Sequence, residues 1–211
     1  MSKMWVYYLS NVNITRRSSG IHAAWHFWYA VGSGGESGLR KVGLCGIPPL
    51  TQRYVNRGNM KNLEQDAIWI RQRLELLAEE ALGYFNSEFP IDACKHASML
   101  LCYHLNRKGY KSPCLVFGVS KKRSGTVGHW WGEVDNLLID ITADQFNFID
   151  DRLLSYKIKT GRQFKSVYCC PIAQAPHYKI FSLVSKERWV WDENDVDEDY
   201  LEDLEYVYHR M

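Results

Sequence analysis

The chain has no hydrophobic run long enough to cross a bilayer. Its longest apolar stretch, Ile21 to Val31, is interrupted by His22 and His26, whereas a spanning helix needs about 20 apolar residues. The N-terminus, MSKMWVYYLSNVNITRR, lacks the apolar core followed by small residues that marks a secretory signal. These absences predict a soluble, cytoplasmic protein with no membrane partner. No CxxC pair and no repeated spacing joins the cysteines at 45, 94, 102, 114, 169 and 170, which excludes a zinc ribbon or a disulfide framework. Most of them read as reduced, small, buried hydrophobes. No glycine-rich phosphate loop or dinucleotide fingerprint is present. Neither a metal nor an organic cofactor is expected.

What is there is the balance of an ordinary globular chain. The 211 residues are 46% hydrophobic and 24% charged, which excludes a disordered or fibrous protein and leaves enough length to bury a real core. Aromatics reach 14%, with 8 Trp and 13 Tyr, material for a bulky core and for a stacking surface. The net charge of +2 conceals a split. Residues 187–205 carry ten acids against one base, Arg188, and the remainder holds 25 bases and 14 acids, a body of +11. Such a tail reads first as a solvated face. Its Trp189 and Trp191, however, are apolar anchors that predict docking on the domain.

Three regions follow. Residues 1–60 are aromatic-rich, with strand-like segments at Met4 to Leu9 and Ala24 to Val31 between Gly/Ser loops. Residues 61–186 form the core, and residues 187–211 the acidic tail, ending in a short helix. In the core, Leu63, Ala67, Ile70, Leu74, Leu77, Ala81 and Tyr84 recur in steps of four and three, which predicts a helix over 62–86. Asn62 and Gln65 have the spacing of a capping box. Phe89-Pro90 breaks the chain, and a second helix is predicted over 93–108, capped by Asp92 and closed by Gly109. Ala97, Leu101 and Leu105 make its buried stripe, and Cys94 lies on that inward face.

Strands are predicted over 113–119, 127–134 and 137–142, with further ones over 164–170 and 178–184, and Asp135-Asn136 as a two-residue hairpin turn. Helices followed by antiparallel strands give an α+β fold. If Val134 pairs with Leu137, Trp131 faces Asp140 and His129 faces Thr142. His129 and Asp140 then lie diagonally on one face, roughly 5–8 Å apart at Cβ. The other face collects Trp130, Val134, Leu137, Ile139 and Ile141. A thiol at a helix start, an imidazole and a carboxylate are the parts of an activated nucleophile. The Cys94 N–H, unpaired at the helix start, can serve an oxyanion.

The order Cys94, His129, Asp140 resembles the transglutaminase-like branch of the papain-like cysteine enzymes. The resemblance lies in Ala93-Cys94-Lys95-His96-Ala97-Ser98, in His129-Trp130-Trp131-Gly132-Glu133-Val134 and in Asp140-Ile141-Thr142. Phe89 to Ser98 and Ile139 to Phe146 are also similar to segments of little-characterised bacterial members of that superfamily. The match spans residues 85–148. It implies a papain/transglutaminase-like fold with helices packed on an antiparallel sheet. It implies Cys94 as nucleophile, His129 as base and acid, and Asp140 as orienter, acting on a protein or peptide substrate through a thioester. Protease, deamidase and transglutaminase remain equally open. Lys95 stands where a small residue is common, which would admit an acidic substrate or narrow the cleft. The oxyanion glutamine of papain-type proteases has no counterpart, Glu88 lying six residues before Cys94.

Trp131 and Glu133 are candidates to line the substrate site. Asp144 competes with Asp140 but reads as a loop cap. His96 reads as a surface residue. Tyr156, Lys157, Lys159, Arg162, Phe164 and Lys165 mix bases with aromatics, yet a solvated face is favoured and nucleic acid disfavoured as a partner. The rival classes are a non-catalytic protein-binding module on the same fold and a basic nucleic-acid-binding protein.

Overall fold

The computed structural model describes residues 49–211 apart from Gly83, Ser124 and residues 184–187, with side chains from Met60 onward. Cys45 and the strands expected in residues 1–48 lie outside the described residues. Helix α1 spans Pro49–Glu79. It begins well before the expected start, so Asn62 and Gln65 lie inside it and form no capping box. The predicted stripe is its buried face: Leu63, Ala67, Ile70, Leu74 and Leu77 are all within 3% of full burial. The helix ends before Ala81, whose φ of 52° lies outside helical space.

Helix α2 spans Cys94–Arg107. Its N-cap is Ala93, which makes no side-chain capping bond; Asp92 sits outside the helix with φ 58°. The expected Asp92 cap is therefore absent, because a positive φ turns that residue away from the leading amides. The C-terminus is as predicted. Gly109 takes φ 83°, and its N–H donates to Asn106 O while Tyr110 N–H donates to Leu105 O. This double closure needs a left-handed residue, which glycine adopts without steric cost.

Strands β1 (Cys114–Lys122), β2 (Gly125–Val134), β3 (Leu137–Asp140), β4 (Tyr168–Pro171), β5 (Ser182–Leu183) and β6 (Trp189–Val190) form one antiparallel sheet. Its order is β4-β3-β2-β1-β5, with β6 also paired to β1. The fold is α+β, helices on an antiparallel sheet. Asp135 and Asn136 have φ 51° and 61°, the signature of the predicted hairpin turn, and Val134 pairs with Leu137. Short helices α3 (Gln145–Phe148), α4 (Tyr156–Gly161) and α5 (His177–Ile180) follow among the later strands. The strand expected over 178–184 is α5 in its first part, which opens behind Pro176, and β5 at Ser182–Leu183.

The sheet buries both faces. On one, α1 and α2 pack over Leu115, Val134, Leu137, Ile139 and Ile141. On the other, Val116, Trp131 and Leu138 meet Phe146, Ile158, Phe164, Ile180 and Phe181 from the short helices and loops. The acidic segment docks as its tryptophans predicted. It ends in α6 (Glu198–Arg210), capped by Asp197, with Leu204, Val207 and Trp191 in the same cluster as α2. Two histidine–tyrosine bonds spaced eight residues apart run α6 alongside α2: Tyr200 Oη–His96 Nδ1 at 2.8 Å and Tyr208 Oη–His104 Nδ1 at 3.0 Å. His96 is therefore no surface residue; its ring also stacks on Tyr84 at 3.9 Å. Among the described residues no helix is long and apolar enough to cross a membrane.

Arg71 ties α1 to the loop after β3. Its guanidinium donates to both carboxylate oxygens of Asp144, at 2.7 and 2.8 Å, and to Ile141 O at 2.7 Å. Asp144 is thus the anchor of that loop and caps nothing with its side chain. Both residues are buried, at 6% and 8% exposure. Arg71→Ala would strand a buried carboxylate, so a loss of about 3–5 kcal/mol is expected in denaturant unfolding.

Burial, with the charge of Lys95, pushes the His96 imidazole down to about 3 from its ordinary 6.5. The unfolded chain then binds a proton that the folded chain refuses, so stability falls as pH drops from 6.5 towards 3. A His96→Phe protein should lose part of that acid-side slope in thermal melts. An unchanged slope would contradict the assignment.

Candidate active site

His129 lies on β2 and Asp140 ends β3, on the sheet face covered by the short helices. The diagonal contact expected from the hairpin register is present: His129 Nε2 donates to Asp140 Oδ2 at 2.6 Å. The same oxygen receives a second donor, His177 Nε2, at 2.7 Å. The other oxygen, Oδ1, accepts from Thr142 N–H at 2.8 Å and Thr142 Oγ1 at 3.2 Å. An ionised carboxylate is an acceptor only, with about four lone-pair sites. Asp140 fills all of them, and this fixes Nε2–H as the donor of both imidazoles.

The electrostatics follow from that arrangement. Burial favours the neutral acid, but the charges and hydrogen bonds of His129 and His177 override it and hold the Asp140 carboxyl far below the usual carboxylate range. Burial is the largest single influence on His129 and lowers it, but the charge and hydrogen bond of Asp140 together with the influence of Cys94 outweigh it and raise the imidazole to about 10. His129 and Asp140 are 0% and 1% exposed. The low-dielectric surroundings strengthen the pair.

Cys94 opens α2, as the sequence predicts. The body of α2 packs on the opposite sheet face, so contact with His129 needs a gap. The β2–β3 ladder supplies one: it stops at Gly132–Ile139, and at His129 the strand is paired only with Gly118 of β1. There Cys94 lies close enough to act on the imidazole, favouring its protonated form. Cys94 is half-buried, the one member of the relay open to solvent. Gly118 is required opposite His129. A Cβ there would lie 2.8 Å from Phe181 Cβ and 2.8 Å from the Trp131 ring. Phe146 and Phe181 close around the imidazole, at 5.0 and 5.4 Å between centroids.

Gln145, from the quoted Ile139 to Phe146 segment but unassigned by sequence, places its amide Nε2 3.0 Å from His129 Nδ1. It is 3% exposed. It braces the ring at the nitrogen opposite the Asp140 contact. His177, 37 residues beyond Asp140, had no signal in local periodicity or motif; only the Ala175-Pro176 break before it marks a change of structure.

Trp131 and Glu133, expected to line a substrate site, are buried at 0% and 3% exposure and cannot meet a substrate directly. Glu133 accepts from Trp131 Nε1 at 3.0 Å, from the Tyr178 hydroxyl and from Arg188 Nε. This polar knot joins β2 to α5 and the start of the acidic segment. Lys95, the second residue of α2, sits over the Trp130 ring, 5.9 Å from its centroid, and burial lowers its pKa.

His129, Asp140 and His177 are also the described residues that could together hold a metal ion. Ligands around a four-coordinate ion bound at about 2.0–2.1 Å stand roughly 3.3 Å apart. The observed separations of 2.6 and 2.7 Å are those of charge-assisted hydrogen bonds. No protein-family profile, curated protein or solved structure matches this chain.

Because the folded-state pKa of His129 lies above its unfolded value, its stabilising contribution is complete below about 6.5 and is lost as pH rises towards about 10. Asp140→Asn removes the charge that raises it. Thermal melts of the two proteins should converge as the pH climbs over that range. A constant gap would refute the coupling.

Proposed function

We propose that the chain is a cysteine-dependent acyl-transfer enzyme of the transglutaminase/papain-like kind, acting on a peptide or glutamine-type carboxamide. One observation carries the reading: a half-buried thiol at a helix start is backed by a fully buried His129–Asp140 pair whose carboxylate is saturated by donors. A binding module has no use for a buried, desolvated charge pair behind a thiol, since such pairs contribute little net stability. The docked acidic helix α6 likewise weakens the reading as a basic nucleic-acid-binding protein.

In the first half-reaction, the Cys94 proton rests on His129 Nδ1, a form the raised pKa of the ring favours, and Cys94 Sγ attacks the carbonyl carbon. The Cys94 N–H, at a helix start without a capping side chain, faces the developing oxyanion. The C–N bond breaks, and His129 returns the proton to the leaving amine. In the second half, water or an amine attacks the thioester carbon and gives its proton to Nδ1. The C–S bond breaks and the sulfur leaves as thiolate, the proton staying on His129. Asp140 stays ionised throughout and keeps the Nε2–H tautomer in place. Water gives hydrolysis or deamidation; an amine gives cross-linking.

The five cysteines among the described residues are free thiols. Burial raises the pKa of Cys102, Cys114, Cys169 and Cys170, Cys169 to about 12. Iodoacetamide at neutral pH, followed by peptide mapping, should therefore modify Cys94 ahead of these four. Cys94→Ala should keep the fold and abolish turnover. Prior labelling of Cys114, with Cys94 inert, would sink the assignment.

A further inference from the structure

We propose that His177 is a positioning residue for the relay, holding the Asp140 carboxylate in place and sharing the charge of its Oδ2 with His129. The inference rests on the acyl-transfer reading and adds a fourth member to its machinery. Two observations carry it. First, the two Nε2–Oδ2 distances, 2.6 Å for His129 and 2.7 Å for His177, are nearly equal. Second, His177 is 1% exposed and its Nδ1 has no hydrogen-bond partner. Leaving a buried polar atom unpaired costs about 1–3 kcal/mol. A histidine kept only for packing would be outdone by an apolar side chain of similar volume. What an apolar side chain cannot supply is the Nε2 donor.

The surroundings leave that donor one task. Tyr168, Trp131 and Phe181 pack around the ring, with centroids at 5.2, 5.3 and 6.4 Å. Asp140 from β3 and His129 from β2 are the ionisable groups it engages. The Tyr168 hydroxyl is turned to Lys165 N–H, and the Glu133, Tyr178 and Arg188 cluster is satisfied within itself. An acceptor oxygen divided between two donors binds each less firmly than one devoted to a single donor. With His177 in place, Asp140 orients His129 yet does not lock the proton on it. That balance suits a ring that must protonate an amine in one half-reaction and deprotonate an attacking nucleophile in the other.

The test uses full-length His177→Met, which fills the volume without a donor, and His177→Gln, whose amide N–H can reach Oδ2. Melting curves first establish that each is folded. The pH dependence of Cys94 alkylation by iodoacetamide and the NMR titration of the His129 Cε1–H are then recorded. The Met variant should move the His129 inflection upward by at least about half a pH unit, and Gln should return it to within a few tenths of the wild-type value. If Met does not fold, His177→Asn, whose shorter amide stops short of Oδ2, takes its place. An inflection unmoved in the donor-free variant, or shifted equally by Gln, would overturn the role of His177. Failure of Cys94 to label preferentially in the wild-type protein would instead overturn the enzyme reading itself.

Discussion

The Asp140 carboxylate organises this structure. Four donors from three segments meet on its two oxygens: one imidazole from β2, one from α5, and the amide and hydroxyl of Thr142 from the loop just beyond β3. A buried charge is tolerable only when so completely met. The requirement reaches outward. Thr142 can donate only if the chain turns off the sheet at once, and it does so because Arg71 on α1 grips Ile141 O and Asp144 on either side of that turn. That same departure ends the β2–β3 ladder and leaves the edge of β2 at His129 free for the tip of α2.

Two cores serve two purposes. The α1/α2 face is built largely from the regular aliphatic stripes of long helices, with Phe85, Tyr103 and Trp191 among them. The other face is aromatic and assembled from short helices and loops, and it encloses the polar relay. Rings suit that task because they are bulky and rigid and exclude water without adding competing hydrogen-bond groups. The second polar knot, around Glu133, sits on the same face of β2 two residues beyond Trp131, whose indole links it to the imidazole neighbourhood.

What could be read from the sequence had a period or a turn behind it. The stripe from Leu63 to Leu77, the closure at Gly109, and the hairpin at Asp135-Asn136 are local signals, and the hairpin alone brings His129 and Asp140 to one face by parity. The cap at Asp92 failed because propensity ignores a backbone forced to positive φ. Trp131 and Glu133 were misplaced because alternation assigns a face and cannot say whether that face is wet. Here α5 and its flanking loops cover it. His177 was beyond reach for the same reason: its contact spans 37 residues with no regular element to count along.

The arrangement has one door. The imidazole and carboxylate are sealed by Phe146, Phe181 and Trp131, and of Cys94, His129 and Asp140 only Cys94 is not fully buried. Any molecule that exchanges a proton with His129 must first occupy the place beside Cys94. In the proposed reaction, access therefore imposes a sequence of events that chemistry alone would not: a substrate reaches His129 only by way of Cys94.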